Sequence, residues 1–103
     1  MIKKLGNTTC KISTIGLGTG DLFWNSKLKD NKKIDLIKFA ISNGINFIDT
    51  AEEYGKGFSE RLISKAIEKN RQDIIIATKF SPQNHNYKDV IRSCERSLEN
   101  LNT

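Results

Sequence analysis

Asp49, Tyr54 and Lys79 are the residues whose types and spacing could do chemistry together. Asp49 closes the largely apolar run Ile45-Asn46-Phe47-Ile48-Asp49. Tyr54 follows five positions later, in a loop that Gly55 and Gly57 keep open, and Lys79 closes a second run that begins Ile74-Ile75-Ile76-Ala77. An acid, a phenol and an amine at strand ends are what a carbonyl-reducing site needs if the phenol is to deliver a proton. An isolated phenol titrates near ~10 and is a poor acid at neutral pH, but an adjacent ammonium favours the phenolate. Lys79 could supply that charge and Asp49 could hold it in place, leaving Tyr54 as general acid on a carbonyl oxygen while a hydride arrives at carbon. The same spacing suits a structural ion pair of Asp49 and Lys79 with Tyr54 as a packing residue. Residue types alone do not choose between the two.

These side chains meet only if the elements that carry them lie side by side. Ile2 to Leu5 and Cys10 to Ser13 alternate around Gly6-Asn7-Thr8-Thr9 and predict a hairpin. Ile15-Gly16-Leu17-Gly18 predicts a first barrel-type strand. Asp30 or Asn31 is expected to cap a helix with Ile34, Ile37, Ala40 and Ile41 on one face, closed by Gly44 in a left-handed cap. Ser59 is expected to cap a second helix, with Glu60 in its first turn and Leu62, Ile63, Ala66 and Ile67 sharing a face. Asp73 to Phe80 predicts a third strand, and its unbroken apolar centre predicts a parallel strand covered on both faces. After the turn at Pro82, a third helix follows from the spacing of Val90, Ile91, Cys94, Leu98 and Leu101, without a stop signal. This is an α/β pattern, and in βα barrels the strand C-termini share one face, where Asp49, Tyr54 and Lys79 would converge. Residues 1–103 read as one unit of three βα repeats behind a hairpin. An open parallel edge after the third repeat makes the end at Thr103 look like an interruption.

Charge and cysteine usage exclude several classes. The 17 Lys and Arg are interleaved with 12 acids, and no aromatic residues punctuate the basic ones, so the net charge of +5 reads as a solvated surface with no nucleic-acid partner. Cys10 and Cys94 match no metal or redox spacing, and are expected to be free thiols acting as small buried hydrophobes, with no metal bound. Met1 to Gly6 lacks the apolar core of a signal peptide, and no run approaches the ~18 apolar residues of a membrane span. A cytoplasmic protein with no membrane partner is expected, in which Asn7-Thr8-Thr9 is idle as a glycosylation triplet. Gly16-x-Gly18-x-Gly20 misses the dinucleotide spacing G-x-G-x-x-G and reads as a tight strand end. Glu52 and Glu53, adjacent in a loop, are expected to point apart as scaffold and solvent residues. Thr50 is expected to cap the loop beside Asp49, and His85 to sit at the surface.

The run from Gly44 to Gly55, followed by Ser59-Glu60 with Ala66 downstream and then Ile76-Ala77-Thr78-Lys79, resembles the N-terminal part of the aldo-keto reductase family. The hairpin, the Gly16-Leu17-Gly18-Thr19 strand end and the segment Cys94-Glu95-Arg96-Ser97-Leu98 extend the resemblance over nearly the whole chain. It implies a (β/α)8 TIM-type barrel plugged at its bottom by the hairpin, and an enzyme that uses NADPH, less often NADH, to interconvert small carbonyl compounds and alcohols. It implies that Asp49, Tyr54 and Lys79 are three of four catalytic residues, with Tyr54 the proton donor. Gly18, Thr19 and Asp49 would match the early cofactor contacts along the nicotinamide. Trp24, in the loop after the first strand, would either line the substrate pocket or anchor that loop. The family's fourth catalytic residue is a histidine of the next strand; His85, six positions past Lys79, comes too early. Most contacts to the cofactor's adenosine phosphate lie in later strands, and substrate choice is set largely by later loops. The expectation is therefore the front of a reductase truncated after the third helix and inactive alone. The alternative is a non-catalytic remnant or a regulatory binding subunit of the same fold.

Overall fold

Gly6, at φ +54°, turns the chain between two short antiparallel strands, β1 (Ile2–Lys4) and β2 (Lys11–Ser13), with Ile2 opposite Ser13. The computed structural model describes residues 1–103 apart from the side chain of Leu22. Asn46 ties this hairpin to the rest of the chain. Its Oδ1 accepts the Ser13 N–H at 2.6 Å, and its Nδ2 donates to the Lys11 carbonyl at 2.9 Å.

Three strands, β3 (Leu17–Gly18), β4 (Phe47–Asp49) and β5 (Ile75–Ala77), form a parallel sheet in that order. Gly18 is level with Asp49, and Asp49 with Ala77. The sheet is open and does not close a barrel. Parallel neighbours need long crossovers, which α2 (Asp30–Ser42) and α3 (Phe58–Ile67) supply; the short α1 (Asp21–Trp24) precedes α2, and α4 (Tyr87–Leu101) follows β5. Gly16 is a tight strand end, since a Cβ there would lie 2.8 Å from Phe47 Cδ1.

The apolar periodicities of α2 and α3 place the core. Ile37 is fully buried, as are Ile63 and Ile67, and with Leu62 and Ala66 they pack around Ile48 of β4 together with Phe23, Ile74 and Leu101. Each such aliphatic side chain contributes about 1.5–3 kcal/mol by leaving water. Gly44, at φ +89°, ends α2 as expected: its N–H reaches the Ile41 carbonyl at 2.9 Å and the Ile45 N–H reaches Ala40 at 3.1 Å.

The helix starts differ from expectation. Lys29 precedes α2 and Asp30 is its first residue, with no capping bond; the Asn31 side chain instead accepts the N–H of its neighbour Lys32. Gly57, at φ +82°, precedes α3, so Ser59 is no cap. Ser59 is fully buried and donates its hydroxyl to the Thr19 carbonyl at 3.0 Å, tying α3 to the end of β3. β5 is shorter than expected, because Arg71–Asp73 forms a 3-10 turn. Its residues 75–77 are half-buried rather than covered on both faces, as an edge strand's must be.

The third helix departs most. Asn86 caps α4 by accepting the Asp89 N–H at 3.0 Å. The helix turns Ser93, Ser97 and Leu101 inward, while Ile91 and Leu98 remain 43% and 45% exposed. It also stops. Asn102 adopts a left-handed conformation (φ 52°, ψ 54°), its N–H bonds the Glu99 carbonyl at 3.1 Å, and the Thr103 N–H bonds Leu98 at 3.0 Å. Asparagine tolerates that conformation better than any residue but glycine, so the expected absence of a stop signal is overturned. Cys10 and Cys94 are free but exposed, not buried, since Cys94 lies on the outward stripe of α4. No helix of the described residues is long and apolar enough to cross a membrane.

Candidate active site

Lys79 lies two residues past the last ladder position of β5, yet its backbone stays paired. The Thr50 N–H donates to the Ala77 carbonyl at 2.8 Å, and the Glu52 N–H to the Lys79 carbonyl at 2.9 Å. This register carries the Lys79 ammonium back over the end of β4. Its Nζ donates to Asp49 Oδ1 at 2.8 Å and to the Thr50 carbonyl at 2.7 Å, and stands 5.4 Å from the centroid of the Tyr54 ring. Asp49, Tyr54 and Lys79 therefore converge at the C-terminal edge of the sheet. The carboxylate and the ammonium face solvent there, with 42% and 51% of their side chains exposed.

Backbone geometry sets the position of Tyr54. Its N–H bonds the Ala51 carbonyl at 3.1 Å, and its carbonyl accepts the Ser59 N–H at 3.2 Å, so the loop is fastened at both ends of the tyrosine. Gly55, Lys56 and Gly57 all have positive φ (63°, 52° and 82°), a run of left-handed residues that turns the chain sharply into α3. A Cβ on Gly55 would lie 2.8 Å from Phe58 Cβ and 3.0 Å from Trp24 Cβ. Trp24 thus backs the Tyr54 loop from α1, a helical position rather than a loop, and remains 38% exposed.

At the neighbouring strand end, a Cβ on Gly18 would meet nothing within 4 Å. Thr19 is buried, and both its hydroxyl and its N–H point to the Asp49 carbonyl, at 3.1 and 3.0 Å. Thr50 does not cap the loop. Its hydroxyl is buried without a hydrogen-bond partner, and it is the Thr50 carbonyl that meets Lys79. His85 is exposed, with Nδ1 2.9 Å from the Pro82 carbonyl, and makes no hydrogen bond to Asp49, Tyr54 or Lys79.

A model of the aldo/keto reductase family matches residues 14–103. The chain belongs to this family. It is 36% identical over 110 residues to probable aldo-keto reductase 1 of Glycine max, an alignment covering 95% of this chain and 32% of that protein. It is 33% identical over 112 residues to the aldo-keto reductase YhdN of Bacillus subtilis, covering 96% of this chain and 34% of that one. Its fold is similar to that of a thermostable aldo-keto reductase solved with the inhibitor epalrestat (TM-score 0.90, 39% identity, all of this chain and 39% of the other). It is also similar to the Klebsiella pneumoniae aldo/keto reductase solved with NADP and acetate (TM-score 0.82, 29% identity, 90% of this chain and 32% of the other). The chain spans about a third of the length of these curated relatives.

Two carboxylates of this aldo/keto reductase chain do more than its sequence announces. Glu60 is wholly buried and accepts the Thr78 hydroxyl at 2.8 Å and the Asn100 amide at 2.9 Å, joining α3 to the residue after β5 and to α4. Glu52 accepts the Ser81 N–H at 3.0 Å, the Asn84 amide at 3.3 Å and the Arg96 guanidinium at 2.5 Å. Burial pushes the Glu52 carboxyl up, but the bonds from Ser81, Ser93 and Asn84 and the Arg96 charge outweigh it and hold the carboxyl below the ordinary range. Their one signal in sequence was position: Glu52 lies between Asp49 and Tyr54, and Glu60 in the first turn of an otherwise apolar-faced helix.

Proposed function

We propose that this chain is the front third of an NADPH-dependent reductase that converts a small aldehyde or ketone to an alcohol, with Tyr54 as proton donor. The observation that carries the proposal is the Lys79 ammonium, held by Asp49 and the Thr50 carbonyl within 5.4 Å of the Tyr54 ring, on the face where βα barrels keep their active sites. The exposed apolar side chains at both edges of the unit fit a longer sheet. Phe80 follows β5, Ile91 and Leu98 lie on α4, and Leu36 and Phe39 lie on α2.

The residues present fit a nicotinamide. The open backbone at Gly18, level with Asp49, leaves room for close approach of a flat ring. Thr19, with its hydroxyl turned to the Asp49 carbonyl, would hold the wall in shape behind it. When bound, the reduced nicotinamide supplies a hydride to the carbonyl carbon; NADPH is the expected form and NADH the lesser alternative. Tyr54 gives its hydroxyl proton to the carbonyl oxygen, and Lys79 offsets the negative charge left on the phenol. Asp49 keeps the ammonium aimed, and Trp24 forms one wall of the substrate pocket. A cytoplasmic setting goes with this activity. The test is carbonyl-dependent NADPH oxidation by the complete gene product with Tyr54 intact and with Tyr54→Phe; undiminished turnover in the variant defeats the proposal.

A further inference from the structure

The distance between Tyr54 and Lys79 is not set by the Asp49–Lys79 pair alone. That pair is about half exposed, and a lysine reaches it through a flexible four-carbon stem. Exposed ion pairs of this kind are screened and hold geometry weakly, and the ammonium's second partner, the Thr50 carbonyl at 2.7 Å, fixes only the tip of the side chain. Glu52 has a firmer grip on the same two segments. It precedes Tyr54 by two residues, its N–H holds the Lys79 carbonyl at 2.9 Å, and its carboxylate holds the Ser81 N–H at 3.0 Å and Asn84 at 3.3 Å, just beyond Lys79. Only 13% of its side chain is exposed. The carboxylate of adjacent Glu53, by contrast, is exposed and accepts a single long bond from the Ser81 hydroxyl, at 3.3 Å.

The far side of the carboxylate is fixed as well. Arg96 donates Nη2 to Glu52 at 2.5 Å and to Ser93 Oγ at 3.2 Å, and Asn84 donates to the same Ser93 oxygen at 3.1 Å. Charge-assisted hydrogen bonds are the stronger kind; the Arg96 side chain is 55% exposed, and it is the Glu52 end, with its further bonds from Ser81 and Asn84, that is enclosed. Glu52 thus links the Tyr54 loop, the segment after Lys79 and α4 through one carboxylate.

We propose that Glu52, backed by Arg96, is the positioning residue that fixes Lys79 over the Tyr54 ring. This rests on the reading of Tyr54 and Lys79 as the working pair, but its test needs no turnover. An ammonium stem lying against an aromatic face has its terminal CH2 protons displaced upfield in an NMR spectrum. In the complete protein labelled at lysine, Tyr54→Leu defines the full displacement at Lys79. Glu52→Gln is expected to lose most of it and Arg96→Gln part of it, with Arg96→Lys restoring what Arg96→Gln loses, while the Ile48 and Ile76 amide signals stay in place. If Glu52→Gln fails to fold, Arg96→Gln decides, because it leaves the Ser81 and Asn84 bonds to Glu52 intact. A Lys79 displacement unchanged from wild type in the folded variants overturns the proposal. Failure of the functional reading would appear elsewhere, as retained turnover in Tyr54→Phe.

Discussion

Lys79 Nζ and Asp49 Oδ1 lie 2.8 Å apart although 30 residues separate them in the chain. The parallel register that sets Asp49 level with Ala77 places them so, by carrying Lys79 just past the end of β4. The pair is half exposed, so its function and its contribution to stability should separate.

That separation is the first prediction. Lys79→Met in the complete protein should shift the urea midpoint by an amount worth no more than about 1 kcal/mol, while carbonyl-dependent turnover falls severely. A large loss of stability with turnover preserved would instead mark a structural ion pair.

Tyr54→Phe removes one hydroxyl and little else. Turnover in the complete protein should drop by ~10²–10⁴, the range for loss of a positioned proton donor, with cofactor affinity nearly unchanged in a fluorescence titration. A change confined to KM would assign the hydroxyl to binding.

Glu52 should make stability depend on acid. Its carboxyl is held below the ordinary value of 4.5 in the folded chain, so the ionised form favours the fold. That contribution is complete above the unfolded value and is lost as pH falls through the lower folded one. The gap in urea midpoint between wild type and Glu52→Gln should therefore be widest above the ordinary value of 4.5 and narrow as the pH is taken below it. A gap independent of pH would show that the carboxylate charge is not what Arg96 and Ser81 hold.

Gly55→Ala combines a left-handed backbone with a Cβ 2.8 Å from Phe58 Cβ. It should destabilise by about 1–3 kcal/mol and loosen the Tyr54 loop. Thermal melts would register the first effect, and hydrogen exchange at residues 51–57 the second. Unaltered exchange there would mean that the loop tolerates the clash.

The 103-residue chain by itself should show no carbonyl-dependent NADPH oxidation. Intact-mass measurement of the endogenous product, tracked through peptides from Asn46 to Lys79, should find a species near ~30–37 kDa, the size of a full barrel. Turnover by the pure short chain would overturn this expectation.

Apolar spacing and turn residues identified the hairpin, the three strands, the helices α2, α3 and α4 and the inward faces of α2 and α3, because period and burial are local properties of a chain that must hide its hydrophobic residues; the four-residue α1, too short to show a period, was read as loop. Residue type and strand-end position likewise marked Asp49, Tyr54 and Lys79 before any contact was known. Contacts between distant segments were hidden from that kind of inference. Ser59 and Asp30 carry capping side chains, but Ser59 is drawn to the Thr19 carbonyl and Asp30 falls inside the first turn of α2. Cys94, Ile91 and Leu98 form an apolar stripe that faces outward, since α4 docks on α3 through its small and polar side, where Ser93 meets Asn84 and Arg96, Ser97 is buried and Asn100 meets Glu60. Glu52 looked like any loop acid until the fold brought Ser81, Asn84 and Arg96 around it. Local sequence thus determined most of the elements and which residues could react, while tertiary structure decided which polar groups are held in place, because a hydrogen bond between segments 30 or 40 residues apart leaves no periodic trace in the chain.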